Sequence, residues 1–546
     1  GRSETVLVVG TGAEADDELV LADGHYRYSV NGYLNVDCTA GIQSGAEVPF
    51  QPIVVRAQNE RSAWIDASSG YPGLLIRGCS FWEFYGLRLS GGDVPPPIDS
   101  WYVIEIENAS EVKLQRLVVT HSNRYVNGHL LDVLQSKEIT IEESEFYWFA
   151  RAGISFANTD GVTVRRSYLN SRRYESIDGG YGCCDRQRGD DGISLWTRAN
   201  DVLFENVVSE GQHVGFHVQS FDGINNVRIE GSVSIGDVIG ARVINEVSPD
   251  GKPATDVTLN NFLIIAPEVA GIQFFGPARG HWSNCAILGA STDAGVGIVA
   301  ESSPKIQYGS AETNLRDVLV VQGAKSSGII VTDQRAWSAQ SINIFGPDGG
   351  YSPWPGNFSG ATQIDPQLGE CLAYLPSTSP MKGRGVDAGD IGANILWRSI
   401  DGIQSCEPLW SLTTGAFPCG AVIAGVNDIA DASCFDLHER LNVNSLGCPF
   451  PIQYADGGCS LNSEPNVEVE TEGDAGTTPQ LRTDPWRLTL GCGGCSTASP
   501  LIAALVLVFF KLGRRRNQLT QRPKLPARHQ LQAPLPVALS VSVDRH

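Results

Sequence analysis

The chain has 546 residues, a formal net charge of −21, 60 glycines and 13 cysteines. That length exceeds what one compact core usually supports, so an elongated domain or several domains are expected. The acidity argues against a nucleic-acid partner and says nothing about fold.

Residue 1 is glycine and Met381 is the single methionine, so a processed chain that has lost a secretory leader is expected. From about residue 100 a pattern recurs. One half reads polar-V-x-apolar-x-polar, as in "SEVKLQRLVV", "KEITIEESEF", "DGVTVRRSYL", "NDVLFENVVS", "NNVRIEGSVS" and "TDVTLNNFLI". The other half is a glycine followed by a short strand: "GISF" at Gly153, "GISL" at Gly192, "GFHV" at Gly215, "GARV" at Gly240, "GIQF" at Gly271, "GIVA" at Gly297 and "GIIV" at Gly328. From Gly192 onward the glycines are 23, 25, 31, 26 and 31 residues apart, whereas Gly153 and Gly192 are 39 apart, so that coil carries an insertion. Alternating apolar residues give strands of period two, and no helical pattern of comparable length interrupts them. Strands repeating at this period without helices predict an all-β solenoid whose coils stack one on the next, a parallel β-helix over residues 1–397.

The insertion, "RRSYLNSRRYESIDGGYGCCDRQR" at 165–188, is net positive on an acidic chain. Its Arg172 and Arg173 suit an anionic ligand, and Tyr174 offers a ring for stacking on a sugar. Alternatively, its arginines simply pair with the acidic surface. After it come "RGDDGISLW" at 188–196 and "QHVGFHV" at 212–218.

Residues 398–462 hold Cys406, Cys419, Cys434, Cys448 and Cys459 without C-x-x-C spacing, so disulfides of an oxidising compartment are expected rather than a metal site. The odd total leaves at least one cysteine for another fate. Residues 463–487 are acidic and poor in apolar residues, which reads as a solvated linker. "GCGGC" at 491–495, "PLIAALVLVFF" at 500–510 and "KLGRRR" at 511–516 read as a sorting or membrane-anchor tail over 488–516, followed by a disordered extension at 517–546.

Counting each coil's glycine as zero, the residue two places on reads Ser155, Ser194, His217, Arg242, Gln273, then Val299 and Ile330. Two places before the glycine stand Arg151, Asp190, His213, Val238 and Val269. Polar and ionisable residues therefore stack over one stretch of one face, with coils about 4.8 Å apart. This predicts that Ser194, His217, Arg242 and Gln273 line an exposed face and that Asp190 and His213 are near neighbours. Two adjacent aspartates cannot both ionise freely, so one pKa of the Asp190–Asp191 pair is expected to rise. A protonated carboxyl beside an ionised one is the equipment of glycoside hydrolysis.

On these residues the stretch 20–400 resembles the secreted, right-handed parallel β-helix proteins of the pectate-lyase-like fold. "PIVVRAQNERSAWIDAS" at 52–68 is similar to their entry coils and "DPQLGECLAYLPSTSPMKGRGVDAGDIGA" at 365–393 to their closing segment, so Asp387 and Asp390 are read as structural turn residues. "GDDG" at 189–192, "GQHVG" at 211–215 and "GARVI" at 240–244 resemble three polygalacturonase motifs; Ile244 stands where that family has lysine, and "NTDG" at 158–161 is in the wrong register to be a fourth. The resemblance implies Asp190, Asp191 and His213 as catalytic residues. Arg151, Arg172, Arg173, Tyr174, Ser194, His217, Arg242 and Gln273 would bind substrate.

Glycine–cysteine motif, apolar run and arginines resemble the C-terminal sorting tails of myxobacterial surface proteins, which implies Cys492 and Cys495 as the processing and anchoring site; the thirty further residues depart from that pattern. The expected partner is an acidic polysaccharide of the polyuronate type, met by a monomer held to the membrane through its tail, outside the cell or in the envelope. Hydrolysis needs no cofactor. β-Elimination, for which lyases of this fold use lysine, arginine and calcium, is the second reading, although no lysine lies between Lys137 and Lys252. A non-catalytic adhesin is the third.

Overall fold

The computed structural model describes residues 14–27, 34–40, 44–45, 51–67, 72–93, 102–125, 128–171, 189–245, 256–275, 279–290, 296–301, 312–322, 327–331, 336–346, 361–368, 372, 375–395, 397–400, 403–408, 451–453 and 459–461. The chain divides into two compact units, residues 1–478 and 479–546, and every described residue lies in the first.

That first unit is a parallel β-solenoid whose ladder of strands runs from Glu18–Leu21 to Ala361–Thr362. Every pairing in it is parallel, as the repeat predicts. Three ladders wrap the core. One carries Tyr102–Glu107, His129–Leu134 and the opening halves of Ala152–Arg165, Asp191–Glu205 and Val214–Glu230, then Ile239–Asn245, Ala270–Phe275 and Val296–Glu301. A second is formed by the closing halves of the long strands with Ser80–Tyr85, Ser110–Gln115 and Lys137–Glu142. The third consists of three-residue strands such as Val118–Thr120, Glu145–Tyr147 and Val208–Glu210.

The inward residues stack in columns: Ile104, Leu131, Ile154, Ile193 and Phe216 succeed one another coil by coil, all fully buried. Each such side chain removes apolar surface from water at about 25 cal/mol per Å². The repeating glycines have a steric cause. A Cβ on Gly192 would stand 2.5 Å from the carbonyl oxygen of Gly215, and one on Gly215 would stand 2.7 Å from that of Gly240 and 2.4 Å from Asp237 Oδ2. The coils approach too closely there for any side chain.

A single residue of positive φ turns the chain from the second ladder into the third. Asn206, Asn261 and Asn284 occupy this position at φ 51–54°, where asparagine is tolerated well. Arg116, Glu143 and Arg166 occupy it on consecutive coils and compensate by pairing side by side, Arg116 Nη1 to Glu143 Oε2 at 3.1 Å and Arg166 Nε to Glu143 Oε1 at 3.2 Å.

The segment 365–395 lies along the outside of the third ladder. Its Leu375, Met381, Ile391, Ala393 and Ile395 pack on Leu263, Ile265, Ala286, Leu288 and Leu319. Asn261 pins it by both its amide groups to the backbone of Asn394, at 2.6 and 2.7 Å. Asp387 pairs with Arg316 at 2.8 Å, and Asp390 accepts hydrogen bonds from Lys382 Nζ at 2.8 Å and Gly383 N at 3.1 Å. Both are turn and clasp residues, as the sequence indicated.

Cys38 and Cys79 form a disulfide, and Cys285 is a free, buried thiol whose burial pushes its pKa up to about 12. The paired strands Trp397–Ile400 with Ile403–Pro408, and Pro451–Gln453 with Cys459–Leu461, are antiparallel. The side chains of the five clustered cysteines, the linker and the tail with Cys492 and Cys495 lie outside the described residues. Among the described residues no helix is long and apolar enough to cross a membrane.

Candidate functional site

The hydrogen-bonded register places Ser155, Ser194, His217, Arg242, Gln273, Val299 and Ile330 directly over one another on the first ladder. The column continues toward the N terminus through Asp132 and Glu105. Those two escaped a count based on glycines because Val103 and Leu130 stand where later coils have glycine. The alternation in "YVIEIE" and "HLLDVL" was the signal that could have found them.

The second column also forms. Arg151 and Asp190 join in an ion pair between adjacent coils. The backbone of His213 donates to Gly189 O at 3.0 Å, and that of Val214 to Asp190 O at 2.7 Å, so His213 sits on the coil after Asp190. Arg172, Arg173 and Tyr174 lie outside the described residues.

The two aspartates have separate partners. Asp191 opens the strand Asp191–Glu205, is buried, and meets His217 of the next coil, Oδ2 to Nδ1 at 3.0 Å. Burial alone would raise its carboxyl. The charge and hydrogen bond of His217, with Arg151 and Arg242, outweigh that and hold it below the usual carboxylate range. The expected rise of one pKa therefore does not occur at Asp191: oppositely charged neighbours, not the adjacent aspartate, dominate its field. The carboxylate meets His217, which the sequence placed in substrate contact, rather than His213, which it placed as the base.

An ionised carboxylate only accepts, so Nδ1 carries the proton of this contact, and in the neutral form of the imidazole the lone pair lies at Nε2. That Nε2 is buried and has no hydrogen-bond partner. Leaving a buried polar atom unsatisfied costs about 1–3 kcal/mol, a cost that a donor on a bound molecule would offset.

Trp196, which the sequence reading missed, packs against this imidazole. It is the next outward residue after Ser194 and donates Nε1–H to Ser194 Oγ at 2.7 Å. Its ring stands edge-on to the His217 imidazole at 5.4 Å, and the Arg151 guanidinium lies 5.0 Å from its centroid. Arg242 follows on the next coil and donates Nε–H to Gln273 Oε1 at 2.8 Å. The expected face is thus shared, but it is not open throughout: Ser194 is 0% exposed and His217 6%. The neighbouring aspartate and indole cover them. "NTDG" falls elsewhere, since Asp160 pairs with Arg198 at 3.6 Å and aligns with Lys137 and Asn200 on the second ladder. Among the described residues no group of three or more His, Cys, Asp or Glu side chains is placed to hold a metal ion.

Fold and site together define a parallel β-solenoid with an ionisable ladder along one face. No protein-family model matches the chain, and no curated protein matches it. Among solved structures it is similar to the A-module of a mannuronan C-5 epimerase from Azotobacter vinelandii, at 14% identity over 64% of this chain and 91% of that one, with a TM-score of 0.47. It is also similar to a family 6 polysaccharide lyase from Pseudopedobacter saltans (13% identity, 73% and 96% covered, TM-score 0.43) and to a pectate lyase (15%, 70% and 88%, TM-score 0.40). Likeness at this level carries nothing about chemistry.

Proposed function

We propose that the protein binds an acidic polysaccharide along this face and cleaves it by β-elimination, with His217 as the base. The observation that carries the reading is the buried, unpartnered Nε2 of His217, oriented through Nδ1 by an ionised Asp191 and stacked beside Arg242. Nε2 takes the proton from the carbon beside the uronate carboxyl. The C–H electron pair becomes the new C4–C5 double bond, the C4–O bond breaks, and the departing oxygen takes a proton from water. Arg242 neutralises the uronate carboxylate as charge spreads onto it. Entry of the sugar displaces the side chains around Nε2, Trp196 among them, and stacking on that indole offsets part of the cost.

Hydrolysis by Asp190 and Asp191 requires one carboxyl that keeps its proton. Asp191 is held ionised and Asp190 is committed to Arg151, so the geometry favours elimination. Calcium, if bound, would supply further positive charge at the uronate carboxylate; no described residue is assigned to it. A secreted or envelope-anchored monomer, with Cys492 and Cys495 in the anchoring tail, belongs to the same proposal.

The test is a screen of the purified chain against uronate polymers, read by reducing ends and by absorbance of unsaturated products. Unsaturated products support the reading. Reducing ends without unsaturation replace it by a hydrolase, and binding without either by an adhesin.

A further inference from the structure

The outward column that carries His217 and Arg242 changes sign toward the N terminus. Two serines, Ser194 and Ser155, separate His217 from Asp132 and Glu105, and Glu105 stands four coils from His217, about 19 Å along the axis. Asp132 is buried and accepts from His129 Nδ1 at 3.1 Å. Glu105 is partly exposed, with 17% of its side chain accessible.

Among the described residues, the acidic end of the row is paired with one guanidinium. Arg77 reaches Glu107 at 2.7 Å and both Glu105 and Asp37 at 3.9 Å, so one guanidinium faces three carboxylates, with Asp132 a fourth on the next coil. Arg151, toward the site, pairs with Asp190. The repulsion is already visible in the fold. Burial pushes the Glu105 carboxyl up, Arg77 pulls it down, and the charges of Glu107 and Asp132 push it up again.

We infer that Glu105 and Asp132 are specificity-determining residues that end the run of uronate subsites at Ser155. This deepens the polyuronate reading above and rests on it. A uronate laid over Asp132 or Glu105 would place a third carboxylate in a partly desolvated row of like charges, which costs affinity and is screened by salt only in part. A polyuronate therefore binds with its run ending over Ser155 and its remainder extending over Ser194, His217, Arg242 and Gln273. Any unit that continues past Ser155 is a neutral or amino sugar.

The test is calorimetric titration of the full chain with oligouronates of increasing length, repeated for Glu105→Gln and for Glu105→Gln/Asp132→Asn. For the wild type, affinity rises with length and levels off once the ladder from Ser155 to Gln273 is filled. For the variants, longer chains gain a further roughly fivefold to tenfold, and added salt reproduces part of that gain in the wild type. Affinity that keeps climbing with length in the wild type, unchanged by the substitutions, overturns the boundary and leaves the polyuronate reading intact. Absence of binding at every length overturns the polyuronate reading and the boundary with it. Asp132 is buried, so the double variant risks misfolding. The wild-type length series and the Glu105→Gln single variant decide the matter without it.

Discussion

Two histidine–aspartate pairs stand on the same face of the solenoid and differ in what surrounds them. His129 and Asp132 share one strand and pair at 3.1 Å, with the Tyr102 ring tilted against the imidazole at 5.4 Å and 17% of the His129 side chain open to water. Asp191 and His217 belong to neighbouring coils and pair at 3.0 Å, with 7% of the His217 side chain exposed and Nε2 left without a partner. Water can satisfy the outer nitrogen of the first pair. The second pair bears an unsatisfied atom in a site flanked by Arg151 and Arg242, where a substrate can satisfy it. The residue types are the same, and the burial of the imidazole with the sign of the neighbouring charge separates the pair at His129 from the proposed base.

The largest expected effect comes from His217→Asn, which keeps a polar side chain but removes the base. Turnover should fall by roughly two to four orders of magnitude, whereas His129→Asn should stay within a few-fold of wild type. Equal losses in the two variants would erase the distinction between the pairs.

Next is the contrast within "RGDDG". In Asp191→Asn the amide can donate to Nδ1, which moves the imidazole proton to Nε2 and removes the lone pair, so a loss of about a hundredfold or more is expected. Asp190→Asn weakens the partly exposed contact to Arg151 and should cost less than about tenfold. Initial rates on the two variants check this, and equal losses would return the paired-aspartate mechanism to favour. Stability follows the same pair. The depressed Asp191 carboxyl contributes stability that is present above its unfolded value near ~3.9 and is lost as pH falls through the lower folded value. Acid unfolding of Asp191→Asn should lack that step.

Much of this was legible in the sequence. The glycine spacing fixed the coil, and counting from each glycine placed Ser155, Ser194, His217, Arg242 and Gln273 in one column, because the coil carbonyls leave no room for a Cβ at that position and the register cannot slip. The same rule hid Glu105 and Asp132, whose coils have Val103 and Leu130 there. Ionisation state was not legible. Adjacent aspartates suggest mutual repulsion, yet Asp191 lies against His217 from the next coil, a neighbour set by stacking and not by chain distance. Trp196 was passed over because its role arises from contacts to Ser194 and Arg151 that no spacing encodes.

The glycine argument yields a stability prediction. Gly215→Ala should destabilise the fold by about 1–3 kcal/mol, seen as a lower Tm, since the new methyl meets Asp237 and the carbonyl of Gly240. An unchanged Tm would mean that the coils can spread.

A pH-dependent effect belongs to Asp237, whose carboxyl is fully buried. Burial raises it to about 7 against the lowering hydrogen bonds of Ser234, Gln212 N and Ser209. A folded value above the unfolded one contributes stability fully present below about pH 4 and lost as pH rises through about 7. Tm should therefore decline between about pH 4 and pH 7, and Asp237→Asn, which cannot ionise, should flatten that decline.

Removal by His217 of the proton beside the uronate carboxyl is open to a kinetic test, the turnover of a polyuronate deuterated at C5. A primary isotope effect on the appearance of unsaturated product is expected for the wild-type chain. Reducing ends released at the same rate from deuterated and ordinary polymer, with no unsaturation, would contradict it.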